Sequence, residues 1–485
     1  MTRPTNLLFI FSDEHTRDIT GCYGHKTIKT PNIDRLAARG TRFTSAYTSC
    51  PICVPARTAL HTGTHVHQNG SWDNAHGYDG KIPGWAHRLR DQGHRGMSIG
   101  KLHFRSVKDD HGFDPEVIPL HIVDELGDLL GCIRRPIPAE RGNIRGLARD
   151  LGPGPSTYAD YDNNITEAAC EWLTTRAKAD KKPWTMFISL VKPHFPLICP
   201  PEWFKLYDPA KMEMPRLYAA EDRPMHPVIQ GIRRCMNYDD FFFSQDQVKL
   251  ALANYFGMVS FLDHNIGRIL AALEASGLAG DTRVIYTSDH GDNLGTRGMW
   301  GKSVHYEEAC AIPLIMAGPE IPAGAVNRTP VTLVDMFPTI LECNGVAPTA
   351  EDKHLPGTSL FELIKHEDPE RVALSEYHAA ASITAMYMVR KGRWKYVHHV
   401  GYAPQLFDLQ DDPGETVDLG ESPAHAPVRD ALERELRKIL DPEAVCAKAL
   451  ADQAAKVAAN GGERAVRKRG DFGYSPVPGQ KASFG

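Results

Sequence analysis

Four short, largely apolar runs along the chain are each followed by charged residues or histidines. The runs occupy residues 6–11, 97–100, 184–190 and 283–288, and they do not alternate between apolar and polar positions. Runs of this kind are typical of strands that are buried on both faces of a parallel sheet. Because ligands bind beyond the carboxyl ends of such strands, we expect the polar residues after the four runs to meet at one edge of one sheet.

Helical periodicity fills the spaces between these predicted strands. A short pattern covers residues 30–40, and a longer apolar stripe predicts a helix over 258–273. The stripe consists of Met258, Leu262, Ile266, Ile269 and Leu273. Strand, loop and helix in this order indicate an α/β fold. Residues 136–161 are rich in Gly, Pro and Arg, which predicts an insertion or a lid loop.

The last part of the chain predicts a smaller α+β region. Residues 385–390 and 393–397 form a hairpin pattern, 405–409 a further strand, and 428–440 an amphipathic helix. We therefore divide the chain into a catalytic domain over 1–370, a subdomain of one small sheet and one helix over 371–460, and a tail over 461–485. The tail is basic and then rich in Gly and Pro, which predicts either disorder or an oligomerisation arm that docks on another subunit.

Composition narrows the class of protein. A formal net charge of −5 on 485 residues does not favour binding to nucleic acid or to an anionic membrane. No apolar run approaches the ~20 residues of a membrane span, and the first run is too short for a signal peptide. The ten cysteines are scattered, as is typical of reduced thiols, so we expect a cytoplasmic protein.

The chemistry of the chain centres on the segment Cys53-x-Pro55-x-Arg57. Pro55 suits the first turn of a helix, and Gly63 can end that helix. Cys53 would then lie just ahead of a helix N-terminus, where free N–H groups favour an anion, and Arg57 could reach back toward the sulfur. Two other interpretations stay open at this point: a redox pair or half of a zinc site formed with Cys50, or an inert buried thiol.

Two further sets of side chains follow the predicted strands. Asp13, Asp289 and His290 offer two carboxylates and an imidazole, which suit a divalent metal ion. Each of these residues alone is a weak signal, because an Asp after a strand is more often a helix cap. Glu14 is an additional candidate ligand. The candidate anion-binding or proton-transferring residues are Arg57, Lys101, His103, His194 and Lys302.

These segments together resemble the type I sulfatases, close to their choline-sulfatase-like members and to the phosphonate monoester hydrolases. Cys53-x-Pro55-x-Arg57 resembles the family signature, and three more family-like motifs occur in the family's order: Gly-Lys-x-His at 100–103, Pro-His-x-Pro at 193–196 and Gly-Lys-x-x-x-Tyr-Glu from residue 301. The resemblance implies an alkaline-phosphatase-like fold, with a mixed sheet sandwiched by helices and a smaller C-terminal α+β subdomain.

The resemblance also implies a chemistry, the metal-dependent hydrolysis of sulfate esters to inorganic sulfate and an alcohol. In the family the signature cysteine, here Cys53, is oxidised to formylglycine, so a formylglycine-generating enzyme is an expected partner. The resemblance assigns one calcium or manganese ion to Asp13, Asp289, His290 and the oxygen at residue 53. It assigns to Lys101 and Lys302 the stabilisation of negative charge that develops on the transferred group. It assigns protonation of the leaving alcohol to His194 or Lys302, and the role of base to His103.

Departures from the family pattern keep alternatives open. Ala56 stands where most sulfatases have Ser, and His290 where they have Asn; the phosphonate monoester hydrolases share both features. A phosphonate monoester or phosphodiester hydrolase on the same scaffold is therefore the nearest alternative, whereas Lys101 with His103 favours sulfate. A thiol redox or metal-storage protein and a catalytically dead scaffold are further alternatives. We expect a small-molecule ester as substrate, no nucleic acid or membrane partner, and a homo-oligomer.

Overall fold

A computed structural model describes residues 3–136 and 141–485. Its strands are β1 (Asn6–Asp13), β2 (Gly40–Phe43), β3 (Ala46–Tyr47), β4 (Gly96–Lys101), β5 (Glu116–Leu120), β6 (Gly152–Pro153), β7 (Thr185–Pro193), β8 (Ile198–Cys199), β9 (Thr282–Ser288), β10 (Leu314–Ala317), β11 (Ala325–Asn327), β12 (Val331–Thr332), β13 (Ala373–Tyr377), β14 (Met386–Lys391), β15 (Trp394–His399) and β16 (Gln405–Asp408).

The α-helices are α1 (Pro31–Ala38), α2 (Cys53–Thr62), α3 (Val66–Asn69), α4 (Trp85–Asp91), α5 (Gly146–Arg149), α6 (Thr157–Thr175), α7 (Pro201–Phe204), α8 (Pro227–Cys235), α9 (Gln245–Ala275), α10 (Glu307–Cys310), α11 (Met336–Asn344), α12 (Leu360–Lys365), α13 (Ala426–Ile439), α14 (Pro442–Ala459) and α15 (Gly462–Arg469). Part of the insertion predicted over 136–161, residues 137–140, lies outside the described residues. Its described remainder contains α5 and the start of α6. None of the helices in the described ranges is both long and apolar enough to cross a membrane.

The core of the fold is a mixed sheet in which, among the described residues, eight strands follow the order β11-β2-β10-β9-β1-β7-β4-β5. β1 lies inside this sheet and pairs in parallel with β7 and β9, and β4 pairs in parallel with β7. The four runs read from the sequence are therefore four adjacent parallel strands, which confirms the predicted α/β fold. Their carboxyl ends lie at one edge of the sheet.

Helices cover both faces of this sheet because the central strands are apolar on both sides. Leu7 and Phe9 of β1 pack in one hydrophobic cluster with residues of α2, α4 and α11. Leu8 and Ile10 pack on the opposite face in a second cluster with residues of α1, α6 and α9. The predicted stripe over 258–273 belongs to α9, which is longer than predicted because it begins at Gln245.

The C-terminal part forms a second, antiparallel sheet in the order β13-β14-β15-β16. The predicted hairpin is confirmed as β14 and β15, and the helix predicted over 428–440 is α13. The prediction of a single helix over 371–460 is wrong, because α14 follows α13. α14 is rich in alanine and has little contrast between its faces, so its sequence carries no clear stripe. The boundaries of the proposed domains stay a prediction.

The tail contains α15 and then a segment that packs on its own chain. Tyr158 donates a hydrogen bond of 2.5 Å to the carbonyl oxygen of Ser475, and Arg141 forms a 3.0 Å ion pair with Asp471. The structure thus describes ordered contacts for a segment whose composition predicted disorder or an arm to another subunit.

Gly100 permits the close approach of β4 and β7 at the edge that carries the polar residues. Its φ is +100°, and a Cβ atom there would lie 2.3 Å from the carbonyl oxygen of Ser189. Both the backbone conformation and the contact exclude a side chain, and the next residue is Lys101.

Replacing Gly100→Ala is expected to lower the free energy of unfolding by about 1–3 kcal/mol, because the new methyl group must displace β7 or twist β4. The midpoint of thermal unfolding measures this loss. Gly280→Ala is the matched control, since no atom lies within 4 Å of its added Cβ. Equal midpoints for the two variants would contradict the packing argument.

Candidate active site

Helix α2 places Cys53 at the carboxyl edge of the sheet. The helix begins at Cys53 itself and ends at Gly63, whose φ is +70°. The prediction that Cys53 would precede the helix was wrong by a small margin, because the N-cap is Ile52. Ile52 provides no side-chain cap, and Asn74 supplies one instead, since its Oδ1 accepts a 3.1 Å hydrogen bond from the backbone N–H of Val54.

The sulfur of Cys53 lies in a buried cluster of acidic, basic and imidazole groups. Its Sγ is 3.1 Å from His290 Nε2, 3.3 Å from Lys302 Nζ and 3.7 Å from Asp13 Oδ1. One ligand atom from each of Asp13, Cys53, Asp289 and His290 lies within 4.8 Å of the others. β1 and β9 deliver the three metal-type residues to this point, as expected for neighbouring parallel strands.

Arg57 holds the acidic residues of the cluster in place. Its side chain is 2 % exposed, its Nη2 donates to Asp13 Oδ2 at 3.0 Å, and its Nε donates to Asp289 Oδ2 at 3.0 Å. Nη1 donates to the carbonyl of Lys101 and to Ser189 Oγ. The sequence predicted that Arg57 would reach the sulfur, but its hydrogen bonds go to the carboxylates and to β4 and β7. It therefore orients candidate metal ligands.

The segment after β4 brings Lys101 and His103 to the same cluster. Lys101 Nζ lies 2.5 Å from Asp13 Oδ2, and both side chains are almost fully buried. His103 has a positive φ of 59° and contacts Ser475 Oγ through Nε2 at 2.9 Å. Burial, with the positive charges of Lys101 and Arg57, holds the pKa of His103 well below its usual range, so the ring is neutral.

Lys302 and His194 form a pair on the other side of the sulfur. Lys302 Nζ is 3.0 Å from His194 Nε2 and 3.1 Å from Glu14 Oε2. Burial and the charge of Lys302 hold the pKa of His194 well below its usual range. The neutral ring donates from Nδ1 to the carbonyl of Phe195 at 2.6 Å, which leaves Nε2 to accept from Lys302. Burial opposes the charge on Lys302, but Cys53, Glu14 and Asp13 raise its pKa well above the usual value.

The acidic cluster fits a divalent cation. Burial disfavours the charged form of Asp13, yet the positive charges of Lys101 and Arg57 lower its pKa well below the usual value, so it is an anionic ligand. Glu14 is fully buried, and its Oε1 has no hydrogen-bond partner within residues 3–136 and 141–485. Burial raises the pKa of Glu14 well above its usual value. A buried carboxylate oxygen without a partner is costly, and a nearby cation would satisfy it.

A cavity of about 310 Å³ opens from Cys53. The predicted anion-binding residues Lys101, His103, His194 and Lys302 line it beside Cys53. The lining also contains residues that the sequence did not single out, among them Arg141, Asn143, Tyr238 and Ser475. They belong to no recognisable motif. Arg141 and Asn143 fall in the predicted insertion over 136–161 and Ser475 in the predicted tail, so only their place in these segments pointed to them.

Comparisons with known proteins match most of the chain. The family model described as "Sulfatase" matches residues 5–346, and one described as "N-sulphoglucosamine sulphohydrolase, C-terminal" matches residues 295–441. Arylsulfatase K of Bos taurus is 30 % identical over 90 % of this chain and 82 % of its own length. Choline-sulfatase of Rhizobium meliloti (strain 1021) is 29 % identical over 87 % of this chain and 83 % of its own.

A similar fold occurs in the phosphonate monoester hydrolase of Agrobacterium radiobacter. The two structures align with a TM-score of 0.73 at 24 % identity, over 90 % of this chain and 95 % of the other. At this identity the likeness establishes the fold, and it confirms the predicted mixed sheet between helices with a smaller C-terminal sheet.

Replacing Arg57→Met is expected to lower the free energy of unfolding by about 3–5 kcal/mol, because two buried carboxylates lose the cation that compensates them. The midpoint of thermal unfolding in the presence of a chelator measures the effect. Arg437→Met is the control, since Arg437 is 43 % exposed in its pairs with Glu433 and Glu443 and should cost less than about 1 kcal/mol. A midpoint for Arg57→Met as high as that of the control would show that the acidic cluster does not depend on this guanidinium.

Proposed function

The chain belongs to the sulfatase family and hydrolyses sulfuric esters, and we propose that it does so with a formylglycine formed from Cys53 and with one divalent metal ion. The observation that carries the proposal is the surroundings of the sulfur, where Asp13, His290 and Lys302 all lie within 3.7 Å of Cys53 Sγ. A nucleophile formed at this atom would have a metal site on one side and cations on the other.

The metal ion would be held by Asp13, Asp289, His290 and the oxygen atom that replaces the sulfur of residue 53. Glu14 is available through its unpartnered Oε1. When bound there, a divalent cation would lower the pKa of the nucleophilic hydroxyl and offset negative charge on the transferred group. Calcium prefers oxygen ligands, whereas the imidazole of His290 favours manganese or another transition metal.

The proposed conversion of Cys53 to formylglycine would replace a poor nucleophile by a better one. Burial and the neighbouring Asp13 raise the pKa of the Cys53 thiol to about 11, so at neutral pH it is protonated and a poor nucleophile. The hydrate of formylglycine supplies two hydroxyl groups on one carbon atom, one to attack the ester and one whose deprotonation releases sulfate. A formylglycine-generating enzyme would be the partner that carries out the conversion.

Cationic and imidazole side chains of the chain bind the ester and transfer the protons that the reaction requires. Lys101 and Lys302 stabilise the charge on the sulfuryl oxygens. The oxygen of the leaving alcohol takes its proton from His194 or Lys302, whose Nε2 and Nζ atoms lie 3.0 Å apart. His103 accepts a proton at Nδ1 during release of sulfate.

The substrate is proposed to be a small-molecule sulfate ester. Lys101 and Lys302 in the cavity lining would bind the anionic group of the ester, and the rest of the cavity would hold the alcohol. The named relatives, a choline-sulfatase and arylsulfatase K, carry a sulfatase activity in their names. Phosphonate monoesters stay the competing substrate class, because Ala56 and His290 are residue types that the phosphonate monoester hydrolases share.

Purified protein is expected to hydrolyse 4-nitrophenyl sulfate with a higher kcat/KM than 4-nitrophenyl phenylphosphonate, because two lysines and a neutral histidine surround the anion. Release of 4-nitrophenol under identical conditions measures both values. A higher kcat/KM on the phosphonate would assign the protein to the competing hydrolase class.

Cys53→Ala should reduce kcat on the sulfate by about 10⁴-fold or more, because it removes the precursor of the nucleophile. Cys50→Ala is the matched control: Cys50 is fully buried three residues earlier and lies outside the cavity lining. Mass spectrometry of the peptide that contains residue 53 reports the conversion directly. An active protein whose peptide carries only cysteine would refute the formylglycine proposal.

Chelation of divalent metals is expected to abolish turnover and to lower the midpoint of thermal unfolding. Manganese or calcium at about 100 times its dissociation constant should restore about 2.7 kcal/mol of stability. Asp289→Asn should lose this stabilisation, whereas Asp281→Asn, at a site 65 % exposed, should retain it. A midpoint that does not respond to either metal in the unmutated protein would count against the metal site.

A further inference from the structure

The segment over residues 471–485, which we call the closing loop, forms part of the cavity wall. The backbone of Asp471 pairs with that of Gly485, through hydrogen bonds of 3.4 and 3.0 Å, so the two ends of the loop lie together. Between them, Tyr474, Ser475 and Lys481 face the cavity that leads to Cys53. The loop therefore lies close enough to the site to act on the groups in it.

Anchors outside the catalytic cluster hold the closing loop. Asp471 accepts from the backbone N–H of Asn143 at 3.0 Å, in addition to its ion pair with Arg141. Tyr158, on α6, donates to the backbone carbonyl of Ser475 at 2.5 Å. Because these contacts use Asp471 and the backbone of Ser475, the hydroxyl of Ser475 is not needed to keep the loop in place.

That hydroxyl instead contacts His103. Ser475 Oγ lies 2.9 Å from His103 Nε2, across 372 residues of sequence. The side chain of His103 is buried, and its other ring nitrogen, Nδ1, has no hydrogen-bond partner in the described part of the chain. A buried ring nitrogen without a partner in a reaction cavity is available to a substrate or a reacting hydroxyl.

The neutral imidazole of His103 carries one proton, and the position of that proton decides which nitrogen can act as a base. With the proton on Nε2, the ring donates to Ser475 Oγ, and Nδ1 keeps its lone pair. With the proton on Nδ1, the only free ring nitrogen would be a donor and could not accept a proton. Orientation of an imidazole by the partner of its second nitrogen is a general device of active sites.

We propose that Ser475 is a positioning residue, whose hydroxyl accepts a hydrogen bond from Nε2–H of His103 and so keeps Nδ1 free to accept a proton. This inference rests on the proposed function for the identity of the reaction. It makes the closing loop a working part of the active site, although the loop is remote from every catalytic motif in the sequence.

Ser475→Ala is expected to lower kcat on 4-nitrophenyl sulfate by about tenfold, a fraction of what a general base contributes, and to leave KM within about twofold. Ser475→Thr, which retains the hydroxyl, should recover most of kcat. Pro478→Ala is the control and should keep kcat, because Pro478 lies in the same loop but is exposed and outside the cavity lining. An unchanged kcat in Ser475→Ala would overturn the proposal.

A second readout does not depend on turnover. Histidine labelled with ¹⁵N reports its tautomer by NMR, and His103→Gln identifies the signal of residue 103 by its loss. The expected spectrum shows Nε2 protonated in the unmutated protein and a shift toward a mixture of tautomers in Ser475→Ala. A tautomer that does not change would overturn the proposal, as would limited proteolysis showing that Ser475→Ala releases the whole loop.

The proposed activity and the role of Ser475 can be tested separately. If the unmutated, formylglycine-containing protein hydrolyses no sulfate ester, the proposed function fails. If it does hydrolyse sulfate esters, and Ser475→Ala matches it in kcat and in the His103 tautomer, only the role of Ser475 fails.

Discussion

Charges of both signs share a small, dry volume at the carboxyl edge of the central sheet, and the arrangement around them follows from that constraint. Asp13, Asp289, Arg57 and Lys101 are each at most 2 % exposed. Removing such ions from water costs several kcal/mol per ion, which only close mutual pairing offsets. The strands, helix α2 and the segment after β4 must therefore bring these groups within hydrogen-bonding distance of one another.

Much of this convergence could be predicted from the sequence, because it follows from a rule about strands. Four apolar runs ending in polar residues were enough to place Asp13, Lys101, His194 and Asp289 at one edge, since parallel neighbours end together. The family-like motifs added Cys53 and Lys302. Contacts between individual side chains were harder to predict from the sequence. The spacing of Arg57 from Cys53 shows only that both lie on one helix face, and the structure was needed to show that the guanidinium turns to the carboxylates.

The parts that sequence reasoning missed share a physical cause. Helix α14 is rich in alanine, so its buried and exposed faces differ little in polarity. The closing loop has neither periodicity nor an apolar run, and its place is set by a few specific hydrogen bonds to Arg141, Asn143 and Tyr158. Such contacts over hundreds of residues depend on the finished fold. Composition alone could only suggest that the segment was disordered or an arm that docks on another subunit.

Cys53 is 1 % exposed, with α2 beneath it and the sheet edge around it. No catalyst of protein size can reach a sulfur atom at that depth through a cavity of about 310 Å³. An enzyme that oxidises this residue must therefore meet it while the segment is still extended, before the sheet and α2 assemble. If Cys53 is converted as proposed, the compact fold therefore requires the conversion to come first, because a chain that folded earlier would keep its thiol.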